Sequence, residues 1–200
     1  NDNDYSLVKD FPTTRVSLAR KVVRDLTGIT GLKMLVGLSL MNAGYLKWTV
    51  ANDTYKINSP ESGFLYYLSN FFKNAFPTLF VNGVLAGACL AIGHGELFLA
   101  WIVAYLVPYQ LFIRIRSIAE HAVTDITPNM LKNTRSTQAG ILARLFVAPY
   151  HVNFHIEHHA MPAVAFWQLP KLHRILRDLQ AVSKPPSYLQ VLNLVSSKPA

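Results

Sequence analysis

The sequence is short of charge, holds a single cysteine, and has no histidine in its first 93 residues. Each shortage excludes something. Charged residues are 15% of the 200 and apolar ones 51%, whereas soluble domains carry about 25% charge. With a positive mean hydropathy, this composition is that of a membrane protein. The lone Cys89 lies inside an apolar run, so there is no disulfide framework and nothing that calls for an oxidising compartment. A formal charge of +8 would suit nucleic acid, but the basic residues form no stripe interleaved with aromatics and no nucleic-acid-binding motif occurs. That partner is excluded. The opening stretch NDNDYSLVKDF has no n-region followed by an apolar h-region, so no signal peptide is read there. A start at Asn1 in place of methionine reads as a cut in a longer chain. Internal repeats and low-complexity tracts are missing too.

What is present is organised around two uncharged runs. Residues 74–95 contain no Asp, Glu, Lys or Arg, and after Glu96 the same holds for residues 97–113. Each is about long enough to cross the bilayer core, and the tight turn HGE between them predicts a hairpin over 75–93 and 97–113. Both outer ends then emerge on one side. That side carries Lys73 and the upstream arginines, then Arg114, Arg116, Lys132, Arg135 and Arg144, so the positive-inside bias makes it cytoplasmic. Upstream, GITGLKMLVGLSLMNAGYLKW is apolar but broken by Lys33, Gly37, Asn42 and Lys47, which suits an interfacial helix. NDTYKINSPESG (52–63) reads as a turn-rich loop. The expected fold is therefore an all-α, integral membrane helical protein. It would have a cytoplasmic or interfacial segment over 1–73, a transmembrane hairpin over 74–113, and cytoplasmic amphipathic helices over 114–200. Among these last, LPKLHRILRDLQ places Leu172, Ile175, Leu176 and Leu179 on one face.

The stretch HVNFHIEHHAMP (151–162) gathers four of the seven histidines into nine positions. Pro149 can start a helix and Pro162 must stop one. On a single helix between them, His151, His155, His158 and His159 fall within roughly 100° of one face. Imidazole suits zinc, copper and iron, and sets of histidines on helices hold such ions without thiolate. The H-E-x-x-H zinc protease box is absent, because Glu157 is not framed by the right pair.

NFHIEHHAMP resembles the third histidine box of membrane fatty acid desaturases, H-x-x-H-H followed by an apolar residue and a proline. RIRSIAEHA (114–122) is similar to the arginine-and-EH stretch that precedes that box. The first 31 residues, NDNDYSLVKDFPTTRVSLARKVVRDLTGITG, are similar to the segment after the second box in bacterial members. The resemblance implies an enzyme that holds two iron ions (a non-haem di-iron centre) with many histidines. It would use O₂ and external electrons to abstract hydrogen from an unactivated C–H bond of a fatty acyl substrate. His155, His158 and His159 then match the box ligands, and His121 matches the additional upstream ligand.

The resemblance also bears on the neighbours of those ligands. His151, Glu120 and Glu157 are candidates for supporting the ligands from behind, the two glutamates by accepting a second imidazole N–H; simple surface exposure is the other reading for both. Asn153 has helix capping or a backbone contact as its alternative. His94, in the HGE turn, and His173, on the polar face of its helix, are expected to stay outside the site. Arg114 and Arg116 read as charge anchors at a span end. Arg135 resembles family sequence, with a headgroup, a redox partner or lipid phosphate as its candidate contacts. A histidine at 155, where enzymes with a fused cytochrome domain often have glutamine, points to a free electron donor, ferredoxin or cytochrome.

One departure from the family pattern is large. The first two boxes should lie upstream of Asn1, and four ligands cannot build a many-histidine di-iron site. The chain is therefore expected to be the C-terminal part of a lipid desaturase, inactive by itself. A related hydroxylase or ketolase and a non-catalytic membrane remnant are the alternatives.

Overall fold

The structure, a computed structural model, describes residues 10–49, 52–57 and 63–198. It divides into two units, Val22–Leu111 and the described residues up to Lys21 together with Phe112 onward. The first unit carries most of the apolar helix. In chain order, α1 (Arg15–Leu26) and α2 (Ile29–Asn42) precede a two-stranded antiparallel ribbon, β1 (Leu46–Thr49) and β2 (Asn52–Lys56). Leu46 lies opposite Lys56, with a register shift before Thr49. The chain is mostly helical, as expected; this short ribbon is a local departure from the all-α reading and replaces the loop expected from residue 52 onward, and residues 58–62 of that loop lie outside the described residues. Gly44 makes the transition from helix to strand possible. Its φ of 77° is the left-handed conformation that glycine adopts without a Cβ penalty, and the Gly44 and Tyr45 amides close the helix on Met41 and Leu40 carbonyls.

Two long helices follow. α3 (Phe64–Ala91) has 28 residues, about 42 Å of helix at 1.5 Å per residue. It begins earlier than the uncharged run alone suggests, because the aromatic stretch before residue 74 is helical as well. After the turn at Gly93 come α4 (Glu96–Leu106) and α5 (Pro108–His121). Proline supplies no N–H and starts a helix readily, so the break at Val107 falls where Pro108 puts it. Phe64–Ala91 and Glu96–His121 are each long and apolar enough to cross a bilayer, and only 11% and 6% of their most apolar windows are buried. A core helix of a soluble protein would be mostly buried; these turn their apolar side chains outward.

Within this unit the packing is close. Trp101 donates from its indole N–H to Asn82 Oδ1 at 3.1 Å, tying α4 to α3, the kind of interhelical polar contact that holds apolar helices together in lipid. Asn74 Nδ2 donates to the Asn42 carbonyl at 2.8 Å. Gly31 in α2 sits directly on the backbone of Leu106, with no room for a Cβ.

The second unit contains the end of α5, then α6 (Ile141–Phe146), a 3-10 turn at Pro149–His151, α7 (His155–Ala160), a second 3-10 turn at Phe166–Gln168, α8 (Leu169–Asp178) and α9 (Tyr188–Val195). Its small apolar core joins Ile118 of α5 and Ala122 just after it to Val191 and Val195 of α9, with Phe11, Leu18 and Leu192 against them. α9 starts with a capping box in which Ser187 and Gln190 satisfy each other's backbone amides.

The close approach at Gly31 gives a test. Gly31→Ala should destabilise the protein by about 1–3 kcal/mol, the range for overpacking. Gly37→Ala on the same helix meets open space and should be neutral or stabilising by up to about 1 kcal/mol. Thermal unfolding in detergent measures both; equal midpoints for the two variants would contradict the packing.

Candidate metal centre

His121 is the last residue of α5, and His155 and His159 lie one turn apart on α7, on one helix face. The structure brings these three together. His155 Nε2 stands 2.9 Å from His121 Nε2 and 3.0 Å from His159 Nε2. His121 and His155 are buried and His159 is partly so. Two imidazole nitrogens bound to one ion at about 2.1 Å, at coordination angles of 90–109°, stand roughly 3 Å apart. The observed spacing fits that geometry. The donors are also of the right kind: imidazoles converging through Nε2, a set suited to iron, zinc or copper.

His155 stands at the centre of the set. Burial, then the neighbouring rings of His121 and His159, push its pKa down to about 2, so it is the neutral, ligating form at any physiological pH. Its Nδ1 is buried without a hydrogen bond and faces Glu120 Oε1 at 3.7 Å. With the ring neutral and the separation beyond hydrogen-bond range, this contact is not an ion pair. It is the orientation in which a carboxylate stands behind the N–H of a ligating histidine. Arg116 Nε donates to Glu120 Oε1 at 2.8 Å and fixes that carboxylate in place.

The segment 135–137 ties together the two helices that carry these histidines. Arg135 closes the end of α5: its backbone N–H donates to the Glu120 carbonyl at 2.8 Å, and its guanidinium to the Ala119 and Val123 carbonyls. A cation on the last carbonyls of a helix satisfies acceptors that the helix itself cannot. Ser136 Oγ donates to Glu157 Oε2 at 2.6 Å and accepts from the Ile156 amide at 3.0 Å. Thr137 and Asn153 exchange hydrogen bonds: the Thr137 amide donates to the Asn153 carbonyl at 2.9 Å and Asn153 Nδ2 donates to the Thr137 carbonyl at 2.8 Å. Three consecutive residues thus hold the end of α5 and the start of α7.

A family profile described as fatty acid desaturase matches residues 2–190. The chain belongs to the fatty acid desaturase family. It is 34% identical over 101 residues to a dihydrorhizobitoxine desaturase of Bradyrhizobium elkanii, a match covering 48% of this chain and 28% of that protein. The chain thus spans less than a third of that relative's length. No solved structure matches it.

Set against the family's box pattern, the structure sorts the sequence candidates. His121, His155 and His159 converge; His158, on the same turn of α7, is exposed and stands outside the trio. It lines a neighbouring pocket of about 240 Å³ with Arg116, Tyr150, His155, Phe166 and Leu169. The single helix expected between Pro149 and Pro162 is broken, because Tyr150 and His151 take left-handed conformations with φ of 54° and 60°. His151 therefore does not share a helix face with the others. Glu120 and Glu157 are buried, at 6% and 0% exposure, which overturns their surface reading. Asn153 makes the backbone contact. His94 is exposed and pairs with Glu96 at 2.8 Å.

His173 requires correction. Expected at the surface, it is 14% exposed in its side chain and sits 2.6 Å from Glu157 Oε1, because α7 covers the face that an amphipathic reading of α8 assigns to water. Sequence reasoning also missed Ser136 and Thr137, whose only signal is their position between Arg135 and the box. The contacts of Arg135 are the helix end. Arg135→Ala should lower stability by about 1.5–3 kcal/mol, the range for hydrogen bonds to a charged group, and Arg135→Lys should recover only part, since one ammonium cannot span both carbonyls as the guanidinium does. Thermal unfolding checks this; a lysine variant equal to the native protein would show that the two-carbonyl grip contributes nothing.

Proposed function

We propose that this chain is part of a membrane lipid desaturase that introduces a C=C bond into a fatty acyl substrate, using O₂ and an external electron donor, ferredoxin or cytochrome, at a histidine-ligated di-iron centre. The observation that carries this reading is the convergence of His121, His155 and His159 at 2.9–3.0 Å in a chain that the family profile covers almost throughout. Bound iron supplies the O₂-dependent redox chemistry needed to remove hydrogen from an unactivated C–H bond. The residues of this chain do the rest. His121, His155 and His159 hold one ion. His158 lines the adjoining pocket, where it is available to a second. Glu120 orients His155, and Val164, Phe166 and Leu169 give the pocket apolar walls that admit an acyl chain and exclude water. The remaining ligands of a di-iron centre come, on this reading, from chain outside these 200 residues, so the segment expressed alone should produce no desaturated lipid.

The two apolar helices form a membrane hairpin with both flanks, and hence the histidine box, on the cytoplasmic side. The support is the excess of Lys and Arg on those flanks. Cysteine accessibility tests this. Asp10→Cys and Ser183→Cys, in a Cys89→Ser background, should label from the same face of sealed vesicles and His94→Cys from the other; opposite sidedness of the first two would overturn the topology.

Chemistry is tested by lipid analysis of cells expressing the full-length protein. The native protein should yield a new unsaturated acyl species. His121→Ala, His155→Ala, His158→Ala and His159→Ala should each abolish it and lower bound iron, while His94→Ala should leave both intact. Hydroxylated or keto products in place of unsaturated ones would move the assignment to a related oxygenase, and native protein without iron would end it.

A further inference from the structure

α7 has only six residues, far fewer than a helix needs to hold itself in water. Its N-cap residue, Phe154, makes no side-chain capping bond, and the two residues with left-handed backbone, Tyr150 and His151, lie just upstream. Something outside the helix must set its rotation. Its buried residues are His155 and Glu157, so no buried aliphatic side chain anchors it. Glu157 lies about 160–200° around the helix from His155 and His159, on the opposite face. From that back face its carboxylate is gripped on two sides: Ser136 Oγ donates to Oε2 at 2.6 Å, and His173 Nδ1 of α8 lies 2.6 Å from Oε1. The His173 ring also packs against Phe154, with ring centroids 5.1 Å apart.

We infer that His173 is a positioning residue for the metal centre, which pins Glu157 behind α7 and so aims His155 and His159 at His121. The inference rests on the metal reading of the trio. Fixing the back of a short helix fixes its front. A rotation of about 20° carries a ring nitrogen about 6 Å from the axis through about 2 Å, a displacement comparable to the whole metal–nitrogen bond of about 2.1 Å. Ser136 and Thr137, neighbours in one segment, hold the start of α7 through Ile156 and Asn153 but leave the Glu157 carboxylate free to turn about its Oε2 contact. His173, reaching from a different element, removes that freedom. The role depends on one atom, the Nδ1 donor, and on its placement rather than on the bulk of the ring.

Cobalt(II) binding to the full-length protein, purified in detergent and stripped of metal, tests this through affinity and the visible d–d spectrum. The native protein should bind, and His155→Ala should bind at least 100-fold more weakly. His173→Ala should lose about 10- to 100-fold in affinity, the range for groups that orient ligands without touching the ion, with a shifted spectrum. His173→Asn, whose amide nitrogen falls near the place of Nδ1, should restore both. His173→Gln fills similar space but carries its donor one bond too far, and should bind as weakly as the alanine variant; it keeps the test decisive if His173→Ala does not fold. Native-like cobalt binding by His173→Gln or His173→Ala would overturn the inference and leave the trio standing, as would an asparagine variant no better than alanine. Native protein that takes up no cobalt would overturn the metal reading itself.

Discussion

A buried His155 whose Nε2 stands about 3 Å from the ring nitrogens of both His121 and His159 is the constraint on which its surroundings depend. Water no longer satisfies such groups, and each must share a proton or an ion with its neighbours. His155 Nε2 takes part in both contacts, so it can accept from both neighbours only if its own proton is on Nδ1. That places an N–H toward Glu120, whose carboxylate Arg116 holds in place. The ring tautomer, the carboxylate and the arginine thus form one arrangement, and each makes sense only with the other two present.

The surroundings of the trio are polar by the same logic. Among the described residues, twelve polar or charged side chains are buried against ten apolar ones, the reverse of a soluble core. Large apolar side chains instead lie outside, along α3, α4 and α6. A chain that turns its aliphatic surface outward cannot rely on an oil-like interior to fix its ligand helices. Directional hydrogen bonds do that work: Arg135 on the end of α5, Ser136 and Thr137 at the start of α7, and His173 behind it. Such bonds are less forgiving than apolar packing, because a lost partner leaves a desolvated polar group. They also fix angle as well as distance, which a metal site requires.

How much of this was legible depended on whether the governing physics is local. The two uncharged runs are as long as a bilayer core is thick, so their helices could be read directly, whereas the break at Val107 that divides the second run into α4 and α5 was not anticipated. The pair His155 and His159 is an i, i+4 spacing, legible once α7 is a helix. The left-handed backbone at Tyr150 carries no local signal, and the modest enrichment of histidine in that conformation was too weak to reveal it at His151, so the extrapolated helix face failed there. The ribbon of β1 and β2 was hidden because Asn and Asp read as turn formers. His173 was misplaced for a different reason. Periodicity tells which face of α8 is polar, but not that a buried carboxylate from α7 rests on it.

The choice of His155 as the shared nitrogen explains why the site suits a metal ion better than a proton. Both seek the same Nε2 lone pair. A proton there converts His155 to a cation inside a buried site, beside two other imidazoles and within the field of Arg116, and each of those terms opposes it. It also engages at most two of the three nitrogens. A metal ion would bring more charge but could engage all three, whose ligand atoms lie within 4.8 Å of one another, with Nδ1 left facing Glu120. The same burial that rejects the proton keeps the lone pair free for coordination.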